Sequence, residues 1–350
     1  MDLQQFLQNM SQADGVSGYE DNVAELIIEA FSPFVDDIKR DQLGNTIFLK
    51  KGMREEAPRV LLCAHMDEIG LMITKIEENG FLRFTTLGGF DTRTLPGQEV
   101  TVYGREPVQG IIGVKPPFLR REEDKTKTFE LESLFIDTGL TGEEAFNRIK
   151  VGSVAALKRE CLHLRHERYA GKAMDDRAGV ALLWLALQEL NKINHDAHVY
   201  AVATVQEEVG VRGAIVSTYG IAPDLGVAVD VSHGDFPGAA EHEVSTMGKG
   251  VAVASGPNVH PYLEKKLTDM AEEYSLPYQR ELSPGPTGTD AHAIQVSQEG
   301  IPTALLSIPL RYMHTSVEVA DFTDIKLGGK LLAFFVSSLD NAFVEGLSCL

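Results

Sequence analysis

The sequence predicts an α/β chain with three layers, a sheet carrying helices on both faces, and a small β-barrel inserted into it. Three observations predict this. Short apolar runs, among them 60–64, 225–229 and 303–308, alternate with stretches of helical periodicity, the pattern of strand–helix units. Between residues 69 and 165 the alternation gives way to short strands separated by polar turns, the signature of a small closed β domain. Finally, the Val- and Ala-rich run from His198 stops on Glu207 and Glu208, which a strand buried on both faces could not carry in its interior. These acids belong at a strand end, facing a crevice beyond the carboxyl edge of the sheet, with Gly210 and Gly213 turning the backbone away.

Taken in order, the chain opens with an amphipathic helix presenting Leu3, Phe6, Leu7 and Met10, then a break at Ser17 and Gly18. A second helix follows from Glu20 to Phe31, with Val23, Leu26, Ile27 and Ala30 on one face and Pro33 as its stop. A hairpin turns at Leu43, Gly44 and Asn45. The strand from Val60 to Ala64 runs into His65, Met66 and Asp67; positions two apart share a face, so Asp67 can fix the His65 imidazole or bind metal itself. The β-rich insert turns at Glu78, Asn79 and Gly80, holds one helical piece near Glu143–Ile149, and contains no His/Asp/Glu cluster with ligand spacing. We assign it to assembly or substrate access. Its charge run from Arg120 to Lys125 reads as a solvated loop. After it, a polar loop containing Asp175, Asp176 and Arg177 leads into an apolar helix over 178–190, with Asp175 and Asp176 as N-cap and first-turn acids. A strand from Asp224 closes on Asp230, a helix runs from Pro261 to Tyr274, and the strand at Thr303–Ile308 leads through a loop to His314, before a last helix near 325–340. The expected division is therefore 1–68 with 166–350 as one catalytic domain, and 69–165 as the insert.

The 350 residues carry a formal charge of -19 with 43% hydrophobic content, an ordinary globular composition whose acidity argues against affinity for nucleic acid or anionic membranes. Cys63, Cys161 and Cys349 are odd in number and widely spaced, which is not a disulfide framework. With no targeting signal visible at the start and no apolar run long enough to cross a bilayer, a cytoplasmic location is expected.

Strand ends thus carry His65, Glu208, Asp230 and, after a loop, His314, and Asp175 is the fifth candidate. Two histidines and three carboxylates suit two divalent ions, zinc or cobalt or manganese, only if one carboxylate bridges, and Asp175 is the expected bridge. Two ions bring +4, and Asp175, Glu207, Glu208 and Asp230 bring -4. Such a pair activates a bridging water and polarises a carbonyl for amide hydrolysis, with Glu207 as the unligated general base.

His65-x-Asp67, Ala173–Arg177, Gln206–Gly210, Val229-Asp230, Gly288-Thr289-Asp290 and His314-Thr315-Ser316-x-Glu318 resemble, in order and over essentially the whole chain, the tetrahedral-aminopeptidase (M42) family of dinuclear metallo-aminopeptidases, which includes proteins labelled endoglucanase. The resemblance implies a zinc-peptidase-like fold, His65 and Asp230 on one ion, Glu208 and His314 on the other, Asp175 bridging, Glu207 as base and Asp67 supporting His65. It also implies that the insert is a PDZ-like dimerisation domain and that dimers build a twelve-subunit tetrahedron. Pro116-Pro117-Phe118 departs from the family's Pro-Pro-His in that domain, which puts one assembly contact in question.

The expected function is removal of N-terminal residues from short peptides. β-Glucan hydrolysis, deacylation of N-acyl amino acids and a non-catalytic assembly role are the alternatives; a glycosidase needs two carboxylates and no metal. Cys63 and Trp184 read as core residues, His292 as a bystander beside a helix capped by Asp290, and His163, His166, His195, His198, His233, His242 and His260 as surface or satisfied histidines. Arg93, Arg177, Arg212, Lys249 and Arg311 are the cations open to an acidic substrate side chain, and sequence does not choose among them.

Overall fold

The computed structural model describes residues 2–119 and 128–347, so the charge run from Arg120 and Cys349 lie outside the described residues. Two helices, α1 (Leu3–Gln12) and α2 (Asp21–Phe31), precede the hairpin β1 (Asp37–Arg40) and β2 (Thr46–Lys50) and the buried strand β3 (Arg59–His65). The chain then leaves the main sheet and forms β4 (Gly70–Ile76), β5 (Leu82–Leu87), β6 (Glu99–Tyr103), β7 (Pro107–Val114) and β8 (Leu134–Asp137), a helix α3 (Gly142–Arg148), and β9 (Val154–Leu157). These six strands close into a barrel in the order β4-β5-β8-β7-β6-β9, around a core of Leu71, Ile73, Leu82, Val100, Val102 and Ile136. Helix α3 begins on a capping box, Thr141 with Glu144, two orphan donors satisfied reciprocally.

Main-sheet pairing resumes at β10 (Leu162–Leu164) and β11 (Arg168–Gly171), so the expected border at residue 165 falls between two paired strands of the large sheet. The remaining elements are α4 (Met174–Leu190), β12 (His198–Thr204), α5 (Arg212–Ile221), β13 (Leu225–His233), β14 (Ala252–Ser255), α6 (Pro261–Glu273), β15 (Gln279–Leu282), α7 (Asp290–Gln295), β16 (Thr303–Arg311), β17 (Glu318–Asp321), α8 (Phe322–Ser337) and α9 (Asn341–Glu345). The large sheet runs β1-β2-β12-β3-β13-β16-β17-β11-β10, with β14 pairing β16 and β15 pairing β14.

Its centre is parallel. Strands β12, β3, β13 and β16 run the same way; the barrel and α4 connect β3 to β12, α5 connects β12 to β13, and a longer path with α6 and α7 connects β13 to β16. Parallel strands of this kind are covered on both faces and read as continuous apolar runs, and successive residues point to opposite sides. Val60, Leu62 and Ala64 of β3 accordingly join the larger core with α1, α2, α4, α6 and α8, while Leu61 and Cys63 join a smaller one with α5 and α7. Phe31, Phe48, Phe6 and Trp184 interlock in the larger core, Phe31 and Phe48 with ring centroids 4.5 Å apart, and the indole N–H of Trp184 donates to the Ala30 carbonyl at 2.8 Å. Among the described residues no helix is long and apolar enough to cross a membrane.

Two expectations about local structure change here. Strand β13 does not close at Asp230: it continues to His233, because β16 pairs with it as far as His233 and Leu310, whereas the β3 ladder ends at Ala228 and Cys63. Past Ala228 one side of β13 is therefore unpaired, and Asp230 looks into the resulting crevice. Nor does Asp290 cap α7. That cap is Thr289, whose hydroxyl accepts the Ala291 N–H at 3.3 Å, and Asp290 is instead buried with its carboxylate accepting the Thr204 hydroxyl at 2.6 Å.

Candidate metal centre

The parallel strands all end at one edge, so residues far apart in sequence arrive together there. His65 is the last residue of β3, Glu207 and Glu208 follow β12, Asp230 sits on β13 past the end of the β3 ladder, and His314 follows β16 by a short loop. Asp175 enters from the kinked first residues of α4, which follow β11. It does not open the helix: Asp175 and Asp176 have non-helical dihedrals, a cis peptide joins them, and the regular helix starts beyond them, where the Asp176 carboxylate accepts the Gly179 N–H at 3.0 Å. A side chain at Gly179 would place its Cβ 2.3 Å from that carboxylate, so only glycine fits there. Gly213 likewise lies against the β12 end, where a Cβ would come within 2.4 Å of the Val205 carbonyl, while Gly210 at φ 120° makes the turn after the acids.

Two triads of donor atoms result, His65 with Asp175 and Asp230, and Asp175 with Glu208 and His314, each with its atoms within 4.8 Å of one another. Asp175 is common to both and divides its carboxylate: Oδ1 lies 3.0 Å from His65 Nε2, and Oδ2 lies 3.4 Å from His314 Nε2. His314 Nε2 is also 3.4 Å from Glu208 Oε1. Glu207 belongs to neither triad but stands beside them, its Oε2 3.9 Å from His65 Nε2. His65, Asp175, Glu207, Glu208, Asp230 and His314 thus come together at one edge of the sheet.

Asp67 takes a broader role than support of the His65 ring. Nδ1 of His65 faces the Asp67 backbone carbonyl at 3.1 Å, and the nearer carboxylate oxygen is 3.5 Å away. The carboxylate itself accepts the N–H of Glu207 at 3.0 Å, the N–H of Glu208 at 3.3 Å and the Ser17 hydroxyl at 2.6 Å. It therefore ties the end of β3 to the end of β12 and aims both glutamates.

Glu318 is a residue that sequence reasoning quoted in a motif without giving it a role. It is buried at the start of β17, and its two carboxylate oxygens accept the Asp175 N–H at 3.1 Å and the His314 N–H at 2.8 Å. His314 stands at φ 59°, a left-handed conformation that costs a non-glycine residue on the order of 1 kcal/mol, and the Glu318 hydrogen bond holds it there.

So many acids in one place are unfavourable without cations. Burial, reinforced by Asp230, Asp290 and Glu208, pushes the Glu207 carboxyl up to about 10. Burial and Asp175 push Glu208 up to about 8, and burial drives Asp230 well above the usual carboxylate range. Asp175 goes the other way: burial opposes its charge, but His314 and His65 hold it below the ordinary value. Hydrogen bonding to Asp175 raises His314 to about 9. The donor set, two imidazoles and three carboxylates with one carboxylate shared, fits two divalent ions, whose charge removes this repulsion.

The crevice continues into a cavity of about 560 Å³, bordered by Asp175, Glu208, Asp230 and His314, by Thr287, Thr289 and His292, and by Gly89 from the segment between β5 and β6. Gly89 is in near contact with the His314 ring, where a Cβ would lie 3.0 Å from Nδ1, so the barrel excursion does reach the site. His233 also borders the cavity, which its reading as an ordinary surface histidine did not anticipate. Of the five cations considered for substrate binding, none borders it. Arg177 is fully buried with its guanidinium on the carbonyls of Met10, Ala13 and Met66, in a network completed by Lys172 and Glu68; Arg311 is paired with Asp235.

Comparison with known proteins identifies the family. A model of the M42 glutamyl aminopeptidase family matches residues 44–331. A lysyl aminopeptidase of Pyrococcus furiosus is 37% identical over 92% of this chain and 93% of its own. Among solved structures, a TET aminopeptidase from a marine-sediment thaumarchaeote superposes with a TM-score of 0.94 at 32% identity, covering 99% of each chain. The TET1 peptidase of Pyrococcus horikoshii, described as assembling into a tetrahedron or a large octahedral shell, superposes with a TM-score of 0.85 at 32% identity over 97% of this chain and all of its own. The chain therefore belongs to the M42 glutamyl aminopeptidase family and is a metal-dependent aminopeptidase.

Proposed function

We propose that His65, Asp175 and Asp230 hold one divalent ion and Asp175, Glu208 and His314 a second, and that the site removes N-terminal residues from short peptides. The observation that carries this reading is the shared Asp175, whose two oxygens serve the two triads separately. A pair of divalent ions, when bound, lowers the pKa of water and polarises a carbonyl oxygen. Glu207, beside the triads and outside both, takes the proton of the attacking water and delivers it to the leaving nitrogen. Asp67 keeps Glu207 and Glu208 in position, and the cavity confines the substrate's first residue. Zinc or cobalt, with manganese as a third choice, suits this mixture of imidazole and carboxylate.

The same proposal takes residues 69–165 as a dimerisation domain, with 1–68 and 166–350 as the catalytic domain, and dimers as the units of a tetrahedral dodecamer. Support comes from the assembly described for the Pyrococcus horikoshii relative and from Phe118 and Leu119, which are exposed apolar residues on the barrel side. Cysteine usage supports a cytoplasmic location, since Cys63 and Cys161 are both free.

The test is Glu207→Gln with metal analysis. The variant should retain both ions and lose roughly 10²–10⁴ in turnover of aminoacyl-anilides. Full activity with full metal content would end the assignment of the base, and loss of activity in a chelator, restored by a divalent ion, separates this chemistry from β-glucan hydrolysis.

A further inference from the structure

The cavity beyond the metal cluster has one acid that the cluster does not use. Glu281 lies on β15, the strand added outside β14, and borders the same cavity as the candidate ligands. Its Oε2 is shut off from solvent and has no hydrogen-bond partner. From the protein side, the Ser307 hydroxyl and the exposed His233 ring act on the carboxyl, against a burial that raises it above its ordinary value. Ser307 stands in register with Asp230 on the neighbouring strand, so Glu281 is tied to the wall of the same crevice.

Charge decides what this acid is for. Asp175, Glu207, Glu208 and Asp230 together offset two divalent ions, which leaves Glu281 as a fifth carboxylate. Among the described residues no lysine or arginine borders the cavity to pair with it. A largely buried carboxyl with only the exposed His233 ring and the Ser307 hydroxyl to offset its charge is costly to ionise, and the cost falls when a cation arrives with the substrate. An acidic substrate side chain would meet repulsion at the same place, and a purely apolar one would leave the carboxylate uncompensated.

We propose that Glu281 is the residue that selects the side chain of the substrate's first residue, and that it selects a cation, lysine or arginine. This rests on the aminopeptidase reading above. The cavity, about 560 Å³, accommodates a long side chain, and an ammonium or guanidinium on it supplies a counter-charge to the Glu281 carboxyl at the wall.

The test uses the metal-replete full chain with lysyl-, arginyl-, leucyl- and glutamyl-anilides. The wild type should have a kcat/KM at least about tenfold higher for the lysyl and arginyl substrates than for the other two. Glu281→Gln, nearly the same shape, should lose roughly 30-fold toward lysyl substrate, the scale for removing one partner of a buried charge pair, with the leucyl rate within about threefold. Glu281→Lys should turn the preference toward the glutamyl substrate. On the unaltered enzyme, lysinamide should inhibit about tenfold more strongly than norleucinamide, which lacks only the ammonium. A wild-type preference for leucyl or glutamyl substrate, or equal inhibition by the two amides, overturns the proposal, as does a Glu281→Gln variant with an unchanged lysyl-to-leucyl ratio. An enzyme with both metals that cleaves none of the anilides overturns the aminopeptidase reading itself, a result distinct from these.

Discussion

Replacing Glu318 by glutamine separates holding the metal ligands from merely filling the core. One carboxylate accepts two backbone N–H groups, of Asp175 at 3.1 Å and of His314 at 2.8 Å, and so fixes the backbone of the shared ligand and of a second one. An amide has a single carbonyl oxygen, so one of these two bonds is lost and the NH₂ group faces a donor. Groups that orient metal ligands typically govern 10–100-fold in metal affinity. A 100-fold weaker Kd removes about 2.7 kcal/mol of metal-derived stability at a fixed metal excess, since each tenfold is worth about 1.4 kcal/mol. For a cooperative unit of this size, with an unfolding entropy of about 0.7 kcal/mol/K, this amounts to about 4 °C. The metal-free protein should behave oppositely. There burial and the neighbouring Asp175 and Glu208 oppose a charge on Glu318, so the neutral amide should leave Tm unchanged or raised. The assay is calorimetry of the wild type and Glu318→Gln, each with chelator and with excess zinc, beside a metal titration. A variant with native metal affinity and an undiminished zinc-induced rise in Tm would refute the claim that Glu318 sets these two ligands.

Other outcomes follow from the same geometry. Asp175→Asn should cost both ions together, not one, because the carboxylate is common to the two triads; metal analysis showing a single retained ion at full occupancy would contradict the sharing. Asp67→Ala should leave the Glu207 and Glu208 N–H groups without their acceptor and lower kcat more than ion content, read by comparing turnover with metal stoichiometry. Phe48→Ala, fully buried against Phe31, should cost about 3–5 kcal/mol in denaturant unfolding without changing the relative rates on different anilides. Burial raises the Glu20 carboxyl to about 7 from 4.5, so the native state binds that proton more tightly than the unfolded chain, and its contribution is present below pH 4.5 and is lost as pH rises toward 7. Glu20→Gln should then be more stable than the wild type at pH 8, by at most about 3 kcal/mol, with the difference vanishing near pH 4; equal stabilities at pH 8 would sink this reading.

What could be read before any coordinates was whatever depends on strand order and periodicity. The apolar runs at β3, β12, β13 and β16 each stop near a ligand-type residue, and parallel strands must deliver such residues to one edge, so His65, Glu207, Glu208, Asp230 and His314 were visible as one constellation. Details depending on which neighbour a strand keeps were not visible. Asp230 looked like a strand terminus because nothing local says that β3 stops pairing at Ala228 while β16 continues to His233. Asp175 and Asp290 looked like caps because Asp at a helix start is ordinarily a cap; one lies in a non-helical turn and the other is a buried acceptor for Thr204.

Arg177 and Glu281 show the same limit from opposite sides. Arg177 follows a polar loop and reads as a free cation, yet the structure spends its charge on three backbone carbonyls and Glu68 inside the core, so it offers nothing to a substrate. Glu281, on the short strand β15, drew no reading from the sequence, because no motif surrounds it. Its position emerges only from three registers at once: β15 on β14, β14 on β16, and β16 on β13. Sequence patterns report the ligands because metal chemistry demands particular residue types at strand ends. They are silent about the substrate side because one carboxylate at a cavity wall is recognised by what surrounds it, and here the described residues around the cavity include no lysine or arginine.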